Sequence, residues 1–451
     1  MAKNEVIICY NRNTLEPVSM PQEDRFLNTM VIGPTGTGKT SQILLPLILQ
    51  DLANPDVGVT IFDPKEDLAL KVRDLAKRID NRKVIYVDPI SDTCPKIDLF
   101  SGSASQIANV ISRIFASQSK NDSNAERNNK YVIRNLIEKS INILKEFPML
   151  CGNNLNIDTY CEFISDSYGQ SRIKLTKLLD SLKNTQKNQR IAECRWLLDQ
   201  YFTINTGIYE KCSSFRSSIE ELSTNFYLQH VFNTENPKGN ILNFDEHIAN
   251  GDIVIVNTKN TLLGYLGRTF GEILMYLYTS SIFRRFSYNN ERDIKYMKAN
   301  FLYIDEFASF APVTIDLFTQ GRAFKVGTYI TVQNRTILKM CGNLETTSEA
   351  FVIESNTRNL ILFPGLNGED AEYFSKQFFN LTPAQILYRP FGQIIYKVVR
   401  NKNIIPPSVG LVFFVTEVPN AYSVAKEFRF DENGQIIWDR YEDFVNDDFE
   451  K

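Results

Sequence analysis

Histidine is nearly missing from this sequence: among 451 residues only His230 and His247 carry an imidazole. That scarcity argues against His-based catalytic triads and most zinc chemistry. The seven cysteines (Cys9, Cys94, Cys151, Cys161, Cys194, Cys212 and Cys341) form an odd set with no Cys-x-x-Cys pair, so reduced, mostly buried thiols are expected rather than a disulfide framework. Long apolar runs are missing too. The most apolar stretches, 43–49 around Pro46 and 269–283 around Glu272, are too short and too polar to cross hydrocarbon, and the run 6–10 is too short for a signal peptide. A cytoplasmic chain is the expectation. Nor is there an excess of either charge: 50 Lys and Arg against 53 Asp and Glu give a net charge of −3, so nothing global draws the chain to nucleic acid or anionic lipid. Contacts with DNA must be local, and direct lipid binding is not expected.

What the chain does have is an ordinary globular balance, 43% apolar and 23% charged, and length enough for roughly three domain equivalents. Short apolar runs at 28–32, 57–62 and 84–87 read as buried strands, and Leu68, Val72, Leu75 and Ile79 recur at helical spacing between the second and third. This is a β-α-β rhythm and predicts a parallel sheet. From 101 to 244 only helical patterns occur, such as 131–147 and 173–182. Strands resume at 253–256, 301–304, 329–332 and 360–363, with helices near 264–286 and 315–324 between them. The runs 393–399 and 411–415, and a hairpin turning on Asn433-Gly434, suggest an antiparallel extension. The expected fold class is α/β: a doubly wound, mostly parallel sheet with an inserted all-α domain. The core is split into 1–100 and 245–430 by a helical domain at 101–244, and an acidic segment follows at 431–451.

Gly33-Pro34-Thr35-Gly36-Thr37-Gly38-Lys39-Thr40 satisfies every position of Gly-x-x-x-x-Gly-Lys-[Ser/Thr]. In isolation it would also describe a glycine turn with a solvated lysine. Here a strand precedes it and a helix can start near Gly38, so backbone N–H groups and a helix N-terminus converge on one anion. Nucleotide binding, with ATP as the ligand, is therefore predicted. Lys39 is assigned to the β- and γ-phosphates and Thr40 to Mg2+. Ser41 adjoins the phosphate site but is out of register to replace Thr40.

Hydrolysis needs a carboxylate for the metal and a second to orient water. Phe301-Leu302-Tyr303-Ile304-Asp305-Glu306 places both at the carboxyl end of a buried strand, where open α/β sheets present their ligands. Asp305 is the predicted metal residue and Glu306 the predicted base. Gly321-Arg322 and Gln333 follow. Each has an ordinary explanation, a surface pair for Arg322 and a strand-end hydrogen bond for Gln333. In a ring ATPase an arginine so placed reaches the neighbouring subunit's γ-phosphate, and the glutamine senses its own.

Together, Gly33 to Thr40, Asp63-Pro64-Lys65 after the second strand, Asp305-Glu306, Gly321-Arg322 and Gln333 resemble the coupling proteins of type IV secretion, the conjugative DNA-transfer ATPases related to hexameric DNA translocases. The likeness runs from about Asn28 to Phe378. It departs at Asp63-Pro64-Lys65-Glu66-Asp67-Leu68, where the family often has Gly-Glu in place of Glu66-Asp67, and in the lack of the transmembrane helices with which most members begin. The resemblance implies a homo-hexameric ATPase using ATP and Mg2+. Its partners would be DNA, a relaxase or other secreted cargo, and a membrane-bound secretion component that holds the protein at the membrane. Two alternatives share these motor residues or this nucleotide site: a soluble hexameric translocase for chromosome, plasmid or phage DNA, and a nucleotide-gated cargo adaptor with little turnover.

Two charged segments stand apart. Arg172, Lys174, Lys177, Lys183, Lys187 and Arg190 meet only Asp180 within their own stretch, either a solvated helix face or a phosphate contact. Residues 431–451 hold eight acidic residues against Arg440 and Lys451, either a frayed terminus or a contact for basic cargo.

Overall fold

The computed structural model describes residues 5–79, 82–116, 124–183, 185–232, 240–288, 297–310, 314–340, 347–412, 429–430 and 436–437. They fall into two compact units, one comprising Met1–Val87 with Phe244–Lys451 and the other Asp88–Asn243.

The first unit is built on one sheet. In chain order its strands are β1 (Glu5–Asn11), β2 (Pro17–Pro21), β3 (Thr29–Ile32), β4 (Val57–Asp63), β5 (Val84–Val87), β6 (Ile253–Asn257), β7 (Ala299–Ile304), β8 (Val326–Val332), β9 (Asn359–Leu362) and β10 (Gln393–Lys397). A short ladder of β11 (Val399–Arg400) with β12 (Asn403–Ile404) precedes β13 (Ser408–Leu411), which closes the eleven-stranded order β2-β1-β13-β10-β9-β3-β8-β7-β4-β6-β5. The seven strands from β9 to β5 run parallel, and the remaining four are antiparallel. Residues of β3, β4, β6, β7 and β8 are buried on both faces, which is why they appear in the sequence as unbroken apolar runs.

Several boundaries differ from the sequence expectation for identifiable reasons. β1 and β2 had no expected counterpart, because their runs are short and Pro17 and Pro21 bracket the second. Asn28 lies outside β3 in a left-handed conformation (φ 59°), its side chain bonding Phe318 O, Asn356 O and Thr328 N. The helix after the phosphate loop begins as a wide π-type turn, Lys39–Leu44, before the α-helix Leu45–Leu52. Pro46 has no N–H to complete an α-helical ladder there. The expected helix over 315–324 is α only at Ile315–Gln320 and tightens into a 3-10 turn at Gly321–Phe324. The turn at Asn433-Gly434 and Cys341 lie outside the described residues, while the flanking pairs Arg429–Phe430 and Ile436–Ile437 are antiparallel. The other six cysteines are buried and free.

One buried polar network ties the core together. Arg25 forms a bidentate pair with Asp51 (2.8 and 2.6 Å), donates to Tyr329 OH at 2.6 Å and lies 3.3 Å above the Phe301 ring, and Tyr303 OH donates to Asp51 at 2.6 Å. It joins the helix Leu45–Leu52 to β7 and β8, the strands that end next to Asp305 and Gln333.

The second unit is helical. Its described helices include Asn124–Glu146, Ile157–Ser165, Gln170–Leu182 and Ser213–Thr224, packed around Leu136, Ile141, Tyr160, Phe215 and Ile219. Lys96 and Ile241 pair as an isolated bridge, so the segments entering and leaving this unit run side by side.

Candidate functional site

The parallel register brings distant sequence together. β3 lies between β8 and β9, with Ile32 opposite both Val332 and Leu362, and β7 lies between β8 and β4. The carboxyl ends of these strands therefore open on one edge. There Lys39, Thr40, Ser41, Asp305, Glu306 and Gln333 line a single cavity of about 400 Å³.

The loop over this cavity has little freedom. Gly33 donates its N–H to Val332 O at 3.1 Å, and a Cβ on it would meet Phe363 Cβ at 2.5 Å. Gly36 and Gly38 adopt φ of 82° and 95°, the left-handed region that costs glycine nothing. Thr37 Oγ1 donates to Pro34 O at 2.8 Å. Lys39 turns back over the loop and donates to Gly33 O and Pro34 O at 2.6 and 2.8 Å. Burial lowers its pKa, with Lys65 pushing the same way and Asp305 and Glu306 opposing. A lysine so desolvated beside loop carbonyls gains from an incoming anion.

Asp305 sits at the end of β7, 8% exposed, and accepts from Thr40 Oγ1 at 3.0 Å and from Thr331 Oγ1 at 2.6 Å. The hydroxyl and the carboxylate are hard oxygen donors on one spot, the donor set that Mg2+ takes when a nucleotide and water supply its remaining ligands. Among the described residues no group of three or more His, Cys, Asp or Glu is disposed to hold a metal unaided. Glu306 is left-handed (φ 48°), and its N–H donates to Thr331 Oγ1 at 2.9 Å. Thr331 thus holds the Asp305 carboxylate and the Glu306 backbone from the next strand. Sequence reasoning missed it, since a threonine inside a strand is an unremarked β-former.

The Asp63-Pro64-Lys65 segment belongs to the same edge. The Asp63 carboxylate accepts from the N–H groups of Lys65 (2.9 Å) and Ala69 (2.8 Å), holding the turn that starts the helix Asp67–Ala76. Burial pushes Asp63 up to about 6 in spite of those bonds. Lys65 forms an ion pair with Glu306, and the bond raises its pKa.

Gln333, half-buried, lines the cavity just beyond β8. Arg322 does not reach it: in the 3-10 turn it is exposed, and its side chain has no partner among the described residues.

This architecture, a parallel sheet with a glycine-rich loop on one strand, an acidic pair on another and a helical unit between them in sequence, is a fold also found in a bacterial conjugative coupling protein. In particular, the chain is similar to the bacterial conjugative coupling protein TrwB in its unbound monoclinic form, with a TM-score of 0.61, 15% identity and 88% of each chain covered. It is similar to the same protein bound to the non-hydrolysable ATP analogue ADPNP, with a TM-score of 0.63, 14% identity, and 92% of this chain and 90% of that one covered. VirB4 of Thermoanaerobacter pseudethanolicus aligns with a TM-score of 0.50 at 11% identity, over 92% of this chain and 98% of that one. At these identities the likeness is one of fold. No family model and no curated protein matches the sequence.

Proposed function

We propose that this protein is an ATP-driven motor of the conjugative coupling class, which recruits relaxase-bound single-stranded DNA or a protein substrate and delivers it to a type IV secretion channel. The observation that carries the reading is the meeting of Thr40 Oγ1 with the Asp305 carboxylate, 3.0 Å apart beside Lys39 in one cavity. A phosphate loop and an acidic strand end have no structural need of each other. Similar folds solved with ADPNP and with ADP and Mg2+ support the choice of ligand.

In this reading the loop N–H groups and Lys39 bind the phosphates, while Thr40 and Asp305 hold Mg2+. The metal would supply Lewis-acid neutralisation of the phosphate oxygens. Glu306 orients the attacking water, Gln333 contacts the terminal phosphate from β8, and Arg322 serves a neighbouring subunit of a homo-hexamer. The protein reaches the membrane through a protein partner. Among the described residues no helix is long and apolar enough to cross one.

The test is a pair of substitutions. Lys39→Ala should abolish binding of a fluorescent ATP analogue, whereas Glu306→Gln should retain binding and lose at least about a hundredfold in kcat. Turnover by Glu306→Gln at the wild-type rate would remove Glu306 from the chemistry. Failure of the wild-type protein to bind nucleotide would remove the whole reading.

A further inference from the structure

Three non-glycine residues take left-handed backbone conformations at the carboxyl ends of three neighbouring parallel strands: Glu66 (φ 83°) after β4, Lys259 (φ 52°) after β6 and Glu306 (φ 48°) after β7. Each such conformation costs free energy and persists only where its surroundings impose it. Here they are coupled. Glu66 forms an ion pair with Lys259, Pro64 O accepts from Asn260 N–H at 3.1 Å, and Asp63 anchors Lys65 and Ala69. The turn between β4 and its helix is thus pinned on both sides of Lys65. The Lys65 side chain extends over the cavity, which it lines together with Lys39, and its ammonium rests on the Glu306 carboxylate.

We propose that Lys65 is a ligand for the terminal phosphate of a nucleoside triphosphate, and that Glu306 is its alternative partner within the protein. The inference rests on the nucleotide reading above. Lys65 pairs either with Glu306 or with the terminal phosphate, and its side chain, 46% exposed on a four-carbon stem, can exchange one for the other. When phosphate takes the ammonium, Glu306 loses its counter-ion and is free to accept a hydrogen bond from water. A diphosphate leaves the Lys65–Glu306 pair intact. The pair thereby couples recognition of a third phosphate to release of the carboxylate.

Binding alone tests this. ADP·Mg2+ and ADPNP·Mg2+ are titrated calorimetrically into the full-length wild-type protein and into Lys65→Gln, Lys65→Arg, Glu306→Gln and the double variant Lys65→Gln/Glu306→Gln. Losing a charge-assisted bond should cost Lys65→Gln about tenfold in ADPNP affinity and leave ADP affinity within about twofold. Lys65→Arg should keep most of the preference for ADPNP. Glu306→Gln frees the ammonium and should strengthen ADPNP about threefold or more, a gain that disappears in the double variant. Equal losses for both nucleotides in Lys65→Gln, no loss for either, or a Glu306→Gln gain that survives removal of Lys65 would each overturn the proposal while leaving the nucleotide reading in place. No ADP binding by the wild-type protein would overturn both.

Discussion

Glu272 carries a carboxyl group with almost no access to water, 1% exposed within the helix Tyr265–Tyr288. Burial pushes its pKa from 4.5 up to about 7, against the pull of Arg268, whose Nε lies 3.1 Å away. The folded chain therefore holds a proton that the unfolded chain releases. Stability from this group is greatest below the ordinary carboxylate range and is lost as pH rises from 4.5 to about 7. Glutamine at 272 does not titrate. The unfolding free energy of Glu272→Gln relative to wild type should accordingly rise by about 3 kcal/mol across that window, read from urea midpoints at each pH. A difference that stays flat would mean that the folded protein carries Glu272 ionised throughout. Single residues also mark the limits of reading a sequence. Lys39, Thr40, Asp305 and Glu306 were legible because each stands at a fixed offset from glycines or from an apolar run. The partnership of Lys65 with Glu306 was not, because it depends on Phe62 and Ile304 lying side by side in neighbouring strands.

At the scale of elements, the basic stretch of the helical unit looks different once folded. Part of its excess charge is met by acidic residues from outside the stretch. Arg172 bonds Asp166 at 2.7 Å, Lys187 and Arg190 share Glu146 at 2.6 and 2.5 Å, and Arg190 also reaches Glu193 at 2.6 Å. Lys183 pairs with Asp180, and Lys174 donates to Leu150 O. These pairs offset part of the excess, while Lys174 and the exposed Lys177 have no carboxylate partner among the described residues. Reversing Lys183 and Lys187 to Glu should leave the salt dependence of DNA binding unchanged. A slope flattened by about 0.7 to 0.9 log unit per residue would instead mark phosphate contacts. Elements were legible to the degree that their burial was uniform. β4, β7 and β8, hidden on both faces, were found from apolar runs, while β1 and β2 are held by pairing with one another and by β1's pairing with the far end of the chain, which leaves no local periodicity. The wide turn at Lys39–Leu44 escaped because loop and helix patterns overlap there.

For the molecule as a whole, Arg322 is the predicted catalytic residue that the fold leaves outside the cavity, exposed in its 3-10 turn. The role proposed for it, action across a subunit boundary, would be compatible with that placement. Arg322→Ala and Glu306→Gln, each inactive alone, should partly restore ATPase activity when mixed, because some interfaces of a mixed ring regain both residues. Rings shown to exchange subunits yet recovering nothing at any ratio would rule out a role in trans. The strand order has a further consequence, for synthesis. The strand that delivers the phosphate loop, β3, is made early, but both of its neighbours come from far downstream: Thr29 pairs with Tyr329 on one side and Asn359 on the other. On the ribosome, the loop must wait for β8 and β9 to emerge before its strand has a partner on either side. Until then β3 keeps two unpaired edges, so nascent chains of this protein should be clients for chaperones over the interval in which about three hundred residues are added, the time that separates β3 from its neighbours.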